Sequence, residues 1–155
     1  MTFGLSVPAF TELHVIISLI GIAGGILFFA TLIGGRWLSL LCAVFLGFTI
    51  LTSVTGFFFP PKPIGPPFIF GVVSLALLAG SLLALYGKKL VGGWRVLFLV
   101  TALLAQWLNM VVLVVQSYQK IPALHALPPL AAVATQGVVL VAILYVGWRT
   151  LRRRV

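Results

Sequence analysis

The residues best suited to chemistry in this sequence are one carboxylate and two imidazoles, its rarest polar groups. Glu12 is the only acidic residue, and His14 and His125 are the only histidines. His14 stands near the start of the first long apolar stretch, and His125 stands shortly before the last. Two imidazoles can ligate a haem iron axially, or bind copper or zinc together with further ligands. The alternative is that each ring only forms hydrogen bonds with backbone or lipid, because two distant residues make no metal-binding motif.

Three amide side chains share one face of the fourth apolar stretch. At 3.6 residues per turn, Gln106, Asn109 and Gln116 lie within roughly 80° of one another around a helix axis. An unpaired polar group in lipid costs several kcal/mol, so this face must turn toward protein or toward a hydrated cavity. The amides therefore either form hydrogen bonds between helices or line a pocket for a polar headgroup or a small neutral solute.

Further polar residues fall in the same half of the predicted bundle. Thr52 and Ser53 stand near the end of the second stretch, and Gln136 stands near the start of the fifth. Ser and Thr can satisfy their hydroxyls on their own helix backbone, so packing is the simpler interpretation. A polar site in this half would comprise Glu12, Thr52, Ser53, Gln106, Asn109, Gln116 and Gln136.

The composition places these residues in a membrane protein. Of the 155 residues, 62% are hydrophobic and 7% are charged. Soluble domains carry about 25% charged residues, and disordered chains have low hydrophobicity. Both classes are therefore excluded, and one cysteine makes no disulfide framework.

Five apolar stretches are long enough to cross a bilayer, which takes roughly 20 residues each. Glycine pairs, a proline-rich segment and a long polar connection separate them. The sequence predicts an all-α bundle of five transmembrane helices in a single domain, 1–155. The helices are expected at 13–33, 38–58, 68–86, 96–118 and 130–148.

The basic residues predict the orientation of this bundle. With alternating helix directions, eight of the ten basic residues fall on one side and two, Lys62 and Lys120, on the other. The basic-rich side is expected to be cytoplasmic, so the N-terminus lies outside and the C-terminus inside. The Arg-rich C-terminus is interpreted as a topology anchor that attracts anionic lipid rather than nucleic acid.

Small residues at four-residue spacing predict close helix contacts. Gly21 and Gly25 have this spacing in the first stretch, and Ala76, Gly80 and Ala84 repeat it twice in the third. This spacing lets two helices approach closely, either within the bundle or between subunits.

Two segments carry a resemblance to known sequences. Segments 52–60 and 119–127, with the later Thr135 and Gln136, resemble those of small bacterial inner-membrane proteins to which no activity is attached. The resemblance implies a bacterial origin and a similar helix layout. It implies no activity and no functional residues.

These observations favour a non-enzymatic accessory or interaction subunit of a larger membrane complex, with a membrane-protein partner or a second copy of itself. The sequence has no Asp, so it lacks a carboxylate relay, and no phosphate-binding or dinucleotide motif is present. One alternative is a protein that binds haem or a metal through His14 and His125. Another is a small channel or carrier for a neutral or anionic solute.

Overall fold

The computed structural model describes residues 4–59 and 64–153, and its regular elements are helices. In chain order they are α1 (Val7–Ile33), α2 (Ser39–Gly56), α3 (Pro66–Leu82), a π-helical turn that continues α3 (Leu83–Gly87), α4 (Gly93–Lys120), the short α5 (Pro122–His125) and α6 (Pro129–Arg152). Five of these, with α3 and its π turn taken together, are long and apolar enough to cross a membrane. The predicted all-α class with five long helices is therefore confirmed. Pro60, Lys62 and Arg154, used in the sequence analysis, lie outside the described residues.

The first helix begins earlier than the sequence predicts, at Val7 instead of residue 13. The hydroxyl of Ser6 accepts a hydrogen bond from the backbone N–H of Ala9 at 3.4 Å, which caps the helix. Pro8 fits in the first turn because a proline there removes no intrahelical hydrogen bond. At the other end, Gly35 turns the chain with a φ of +78°, a conformation that glycine adopts without steric cost.

Prolines set the start of the later helices. Pro66 and Pro67 open α3, and Pro129 opens α6. Ile121 ends α4 in an extended conformation directly before Pro122, as expected for a residue that precedes proline. The connection between α4 and α6 thus contains the extra helix α5, which the apolar pattern does not predict.

The helices pack mainly as neighbours along the chain. The contacts are densest between α1 and α2, between α3 and α4, and between α4 and α6. A methyl group on Gly21 would lie 3.2 Å from the backbone nitrogen of Thr49, so α1 and α2 approach closely there. A methyl group on Gly80 would lie 3.4 Å from Cγ2 of Thr101 in α4. Both small-residue positions therefore make contacts within the bundle.

Aromatic rings fill the core toward the basic end of the bundle. Phe28, Phe45 and Phe98 come from α1, α2 and α4 and are fully buried. Phe28 lies 6.2 Å from Phe98 and 6.4 Å from Phe45 between ring centroids. Trp37 from the α1–α2 connection packs edge-on against Phe28 at 5.1 Å. This indole therefore packs against one end of the core.

The last long helix lies on the outside of this core. Half of the most apolar 18-residue segment of α4 is buried, whereas none of the corresponding segment of α6 is. Ile143 and Val146 of α6 pack against the core from outside, and Thr150 is buried near its end. The remaining surface of α6 is largely exposed.

Candidate functional site: the α4–α6 groove and the surrounding polar residues

The amides of α4 form hydrogen bonds to two neighbouring helices. Gln106 is 2% exposed, and its Nε2 donates to the carbonyl of Ile22 in α1 at 3.2 Å. Asn109 donates from Nδ2 to the hydroxyl of buried Thr49 in α2 at 3.3 Å. These two members of the predicted stripe therefore bind α4 to α1 and α2, which is the first of the two interpretations given above.

The other predicted polar residues occupy several different environments. Glu12 is exposed, and at 3.6 residues per turn it lies on the opposite side of α1 from His14. Thr52 donates its hydroxyl to the carbonyl of Phe48 in its own helix at 2.8 Å. Ser53 is buried, and Gln116 is half-buried. The predicted polar set is thus divided between helix contacts and the surface.

Each histidine has its own hydrogen-bond partner. Nδ1 of His14 lies 2.7 Å from the hydroxyl of Thr55 in α2, and its ring packs edge-on against Phe59 with centroids 5.1 Å apart. Nδ1 of His125 lies 3.3 Å from the carbonyl oxygen of Tyr118, one helix earlier in the chain. Within residues 4–59 and 64–153, no three His, Cys, Asp or Glu side chains are grouped so that they could hold a metal ion. Ligation of haem or metal by His14 and His125 stays a prediction.

Among the predicted site residues, Gln136 lines an open groove between α4 and α6. Its Nε2 donates to the carbonyl of Val111 in α4 at 3.1 Å, which fixes the side chain between α6 and α4. Its Oε1 is buried and accepts no hydrogen bond from the described part of the chain. A buried acceptor without a donor costs about 1–3 kcal/mol, so a donor at this position would stabilise the helix pair.

The α4–α6 groove is a cleft of about 430 Å³ beside this amide. It is lined by Trp107 and Val111 of α4 and by Val133, Gln136, Gly137 and Leu140 of α6. A methyl group on Gly137 would meet no atom within 4 Å, so the groove reaches the backbone of α6. Val133 is 65% exposed at its rim. The groove is therefore apolar and open along its side, and Gln136 contributes the one amide in its lining.

The opposite end of α6 is held by an arginine of α4. Nη2 of Arg95 donates to the carbonyl of Thr150 at 3.0 Å and also to the carbonyl of Arg153. The last carbonyls of a helix have no intrahelical partner and carry partial negative charge, so a guanidinium stabilises them well. Arg95 thus fixes the C-terminal turn of α6 to the start of α4.

Two guanidinium groups flank an exposed indole on this same turn. The Cζ atom of Arg152 lies 4.6 Å from the Trp148 ring centroid, and that of Arg149 lies 6.0 Å from it. Tyr145 lies one turn deeper, with its ring centroid 6.0 Å from that of Trp148. Amphipathic rings of this kind prefer the headgroup level of a membrane.

Sequence reasoning identified Gln136 but missed the groove beside it. The sequence does contain a signal for a helix contact here, since Gln136 is followed directly by Gly137 within an apolar run. An amide beside a small residue is typical of helix contacts in membranes. The bond from Arg95 to the end of α6 left no such signal, since the two segments are more than 50 residues apart.

Comparisons of the chain with protein-family models, with curated proteins and with solved structures found no match.

Proposed function

We propose that the protein is a multi-pass component of a bacterial inner membrane and acts as a non-enzymatic accessory subunit. In this proposal the α4–α6 groove binds a transmembrane helix of a partner protein. The N-terminus faces outside and the basic end faces the cytoplasm. The five apolar helices and the uneven distribution of basic residues support this arrangement.

The observation that carries the proposal is the open backbone at Gly137 beside the amide of Gln136. Helices in membranes associate through small residues that allow close approach and through polar side chains that form hydrogen bonds across the contact. Gly137 offers the first. Gln136 offers the second: its Oε1 is buried without a donor in the described residues, so the proposal requires this side chain to turn toward the partner on binding. The partner helix is therefore expected to present a hydrogen-bond donor, such as Ser, Thr, Asn or Gln, to this amide.

A helix suits the groove better than a small solute does. Sites for small molecules are concave and enclose most of the ligand surface, whereas this groove is open along two helices. Its lining is apolar apart from Gln136. In the interior, Nε2 of Gln106 donates to Ile22 and Nδ2 of Asn109 donates to Thr49, so these amide donors bind neighbouring helices and do not line the groove.

The test is to fill the groove without disturbing the fold. We would purify the wild-type protein and a Gly137→Leu variant from native membranes in mild detergent and compare them by native mass spectrometry. Gly47→Leu is the matched control, because a side chain on Gly47 of α2 also begins in open space but lies outside the groove. All three proteins should have similar thermal unfolding midpoints.

The proposal expects a stoichiometric membrane-protein partner with the wild type and with Gly47→Leu, and loss of that partner with Gly137→Leu. Retention of the partner by Gly137→Leu would overturn the groove as the binding site. Wild-type protein that is always free of a partner would overturn the accessory function. If the partner is a second copy of the chain, the protein is a homo-oligomer and the accessory function is overturned.

A further inference from the structure

The basic end of the bundle holds guanidinium groups that no side-chain carboxylate can neutralise. The only acidic residue, Glu12, stands 21 residues before the end of α1 at Ile33. At 1.5 Å per residue this is about 30 Å along the helix. Among the described residues, the arginines at the end of α6 therefore have no side-chain carboxylate close enough for an ion pair.

The arginines at this end have different partners. Arg95 is engaged by the two carbonyls at the end of α6. Arg149 is half-buried, and its Nε is buried without a hydrogen-bond acceptor in the described residues. Arg152 is exposed and stacks on Trp148. Arg149 and Arg152 are thus the two arginines that lie over the Trp148 ring and whose guanidinium groups have no hydrogen-bond acceptor among the described residues.

Of this pair, Arg152 projects away from the bundle core, whereas the half-buried Arg149 lies at the side of the helix. Thr150 of α6 is 1% exposed and marks the inward side. At 3.6 residues per turn, Trp148 and Arg152 project from nearly the opposite side, and Arg149 flanks them. The group therefore lies on the surface that contacts lipid if α6 spans a membrane, at the depth where the apolar helix ends.

We infer that Arg149, Arg152 and Trp148 form a binding site for the phosphate of one anionic glycerophospholipid. The two guanidinium groups donate to the phosphate oxygens, since planar N–H donors match phosphate geometry. The indole of Trp148 and the ring of Tyr145 contact the glycerol and upper acyl region. The site lies at the other end of α6 from the α4–α6 groove and does not depend on a protein partner.

Native mass spectrometry of the full-length protein in detergent tests this site. Phosphatidylglycerol and phosphatidylcholine with identical acyl chains are titrated onto the wild type and two double variants. Arg149→Gln with Arg152→Gln removes two charges from the site. Lys88→Gln with Lys89→Gln removes two charges from the α3–α4 connection at the same end of the bundle.

We expect the wild type to bind one phosphatidylglycerol at least tenfold more tightly than phosphatidylcholine. Each basic residue near an anionic surface contributes about 1 kcal/mol, so the double arginine variant should lose about 30-fold in affinity. The double lysine variant should keep the preference. Equal losses in both double variants would overturn the site in favour of general charge attraction, and no loss in the arginine variant would overturn it outright.

Two further measurements keep the test decisive. Arg152→Gln alone removes an exposed side chain, so its effect remains interpretable if the double variant unfolds. Phosphatidylglycerol brominated in its acyl chains should quench tryptophan fluorescence in the wild type, and Trp148→Phe, which keeps Trp37, Trp94 and Trp107, should clearly reduce that quenching. Displacement of the lipid by excess inorganic phosphate would overturn a lipid site in favour of a site for free phosphate.

Discussion

The amide of Gln106 in α4 lies against Gly25 of α1. A methyl group on that glycine would lie 2.7 Å from Cδ of Gln106 and 2.8 Å from Cδ2 of Phe45. Oε1 of Gln106 is buried without a hydrogen-bond donor in the described part of the chain. The absent side chain of Gly25 is therefore what allows this amide to reach the carbonyl of Ile22.

Replacing Gly25 with alanine should destabilise the bundle. The new methyl group would displace both the Gln106 amide and the Phe45 ring from their positions, and both side chains are buried. Overpacking of this kind costs about 1–3 kcal/mol. Thermal unfolding in detergent should show a clear loss, whereas an unchanged midpoint would contradict this account of the contact.

The double variant Gly25→Ala with Gln106→Ala separates the clash from other effects. Removing the long side chain gives the new methyl group space, so the combined loss should be smaller than the sum of the two single losses. Additive losses would mean that the two positions are not coupled.

Replacing Ser81 with alanine should have a small effect on stability. Ser81 and Thr101 join α3 and α4 through buried hydroxyls 2.7 Å apart. Thr101 also donates to the carbonyl of Leu97 in its own helix, so it keeps a partner. We expect a loss of about 0.6 kcal/mol, the average for such bonds in membranes.

Ser18→Ala is the matched control for Ser81→Ala. Its hydroxyl donates to the carbonyl of His14 within α1. Its removal should be close to neutral in the same unfolding assay, and a larger loss than for Ser81→Ala would refute the importance of the α3–α4 bond.

Replacing Arg95 with leucine should loosen the last turn of α6. The carbonyls of Thr150 and Arg153 would lose their charged donor, an interaction of about 1 kcal/mol at a helix C-terminus. Hydrogen–deuterium exchange should become faster near the end of α6 and stay unchanged in α1 and α2. Lys89→Gln, an exposed charge at the same end, should leave the exchange of α6 as in the wild type.

Cysteine labelling should report the orientation in the membrane. Cys42 is 2% exposed, so the parent protein should react little with a membrane-impermeant maleimide. Ala123→Cys in exposed α5 should be labelled in intact cells, and Val91→Cys in the α3–α4 connection should be labelled only after the cells are opened. Labelling of Val91→Cys in intact cells, with labelling of Ala123→Cys only after the cells are opened, would contradict the proposed topology.

The sequence predicts the number and approximate positions of the long helices well, because length, apolar composition and proline or glycine breaks are local properties. Gly35 illustrates this, since a glycine pair predicts the turn that its positive φ produces. The starts of helices are less predictable: the cap at Ser6 extends α1 by six residues beyond its apolar pattern.

The partners of the polar residues were not predictable in the same way. The amide stripe on α4 indicates that its face meets protein or water, but the sequence does not indicate that Gln106 meets Ile22 or that Asn109 meets Thr49. These pairings depend on how the helices rotate about their axes when they pack. The same packing gives His14 a hydroxyl partner in α2 and leaves Glu12 exposed on the other side of α1.

The position of α6 has a consequence for the order in which the protein is assembled. The fully buried members of the aromatic and aliphatic core come from α1 to α4 and the π turn, and α6 adds Ile143 and Val146 from outside. The first four long helices can therefore complete their core while α6 is still being synthesised. A newly made chain then exposes the face of α4 that α6 covers until α6 has packed against it.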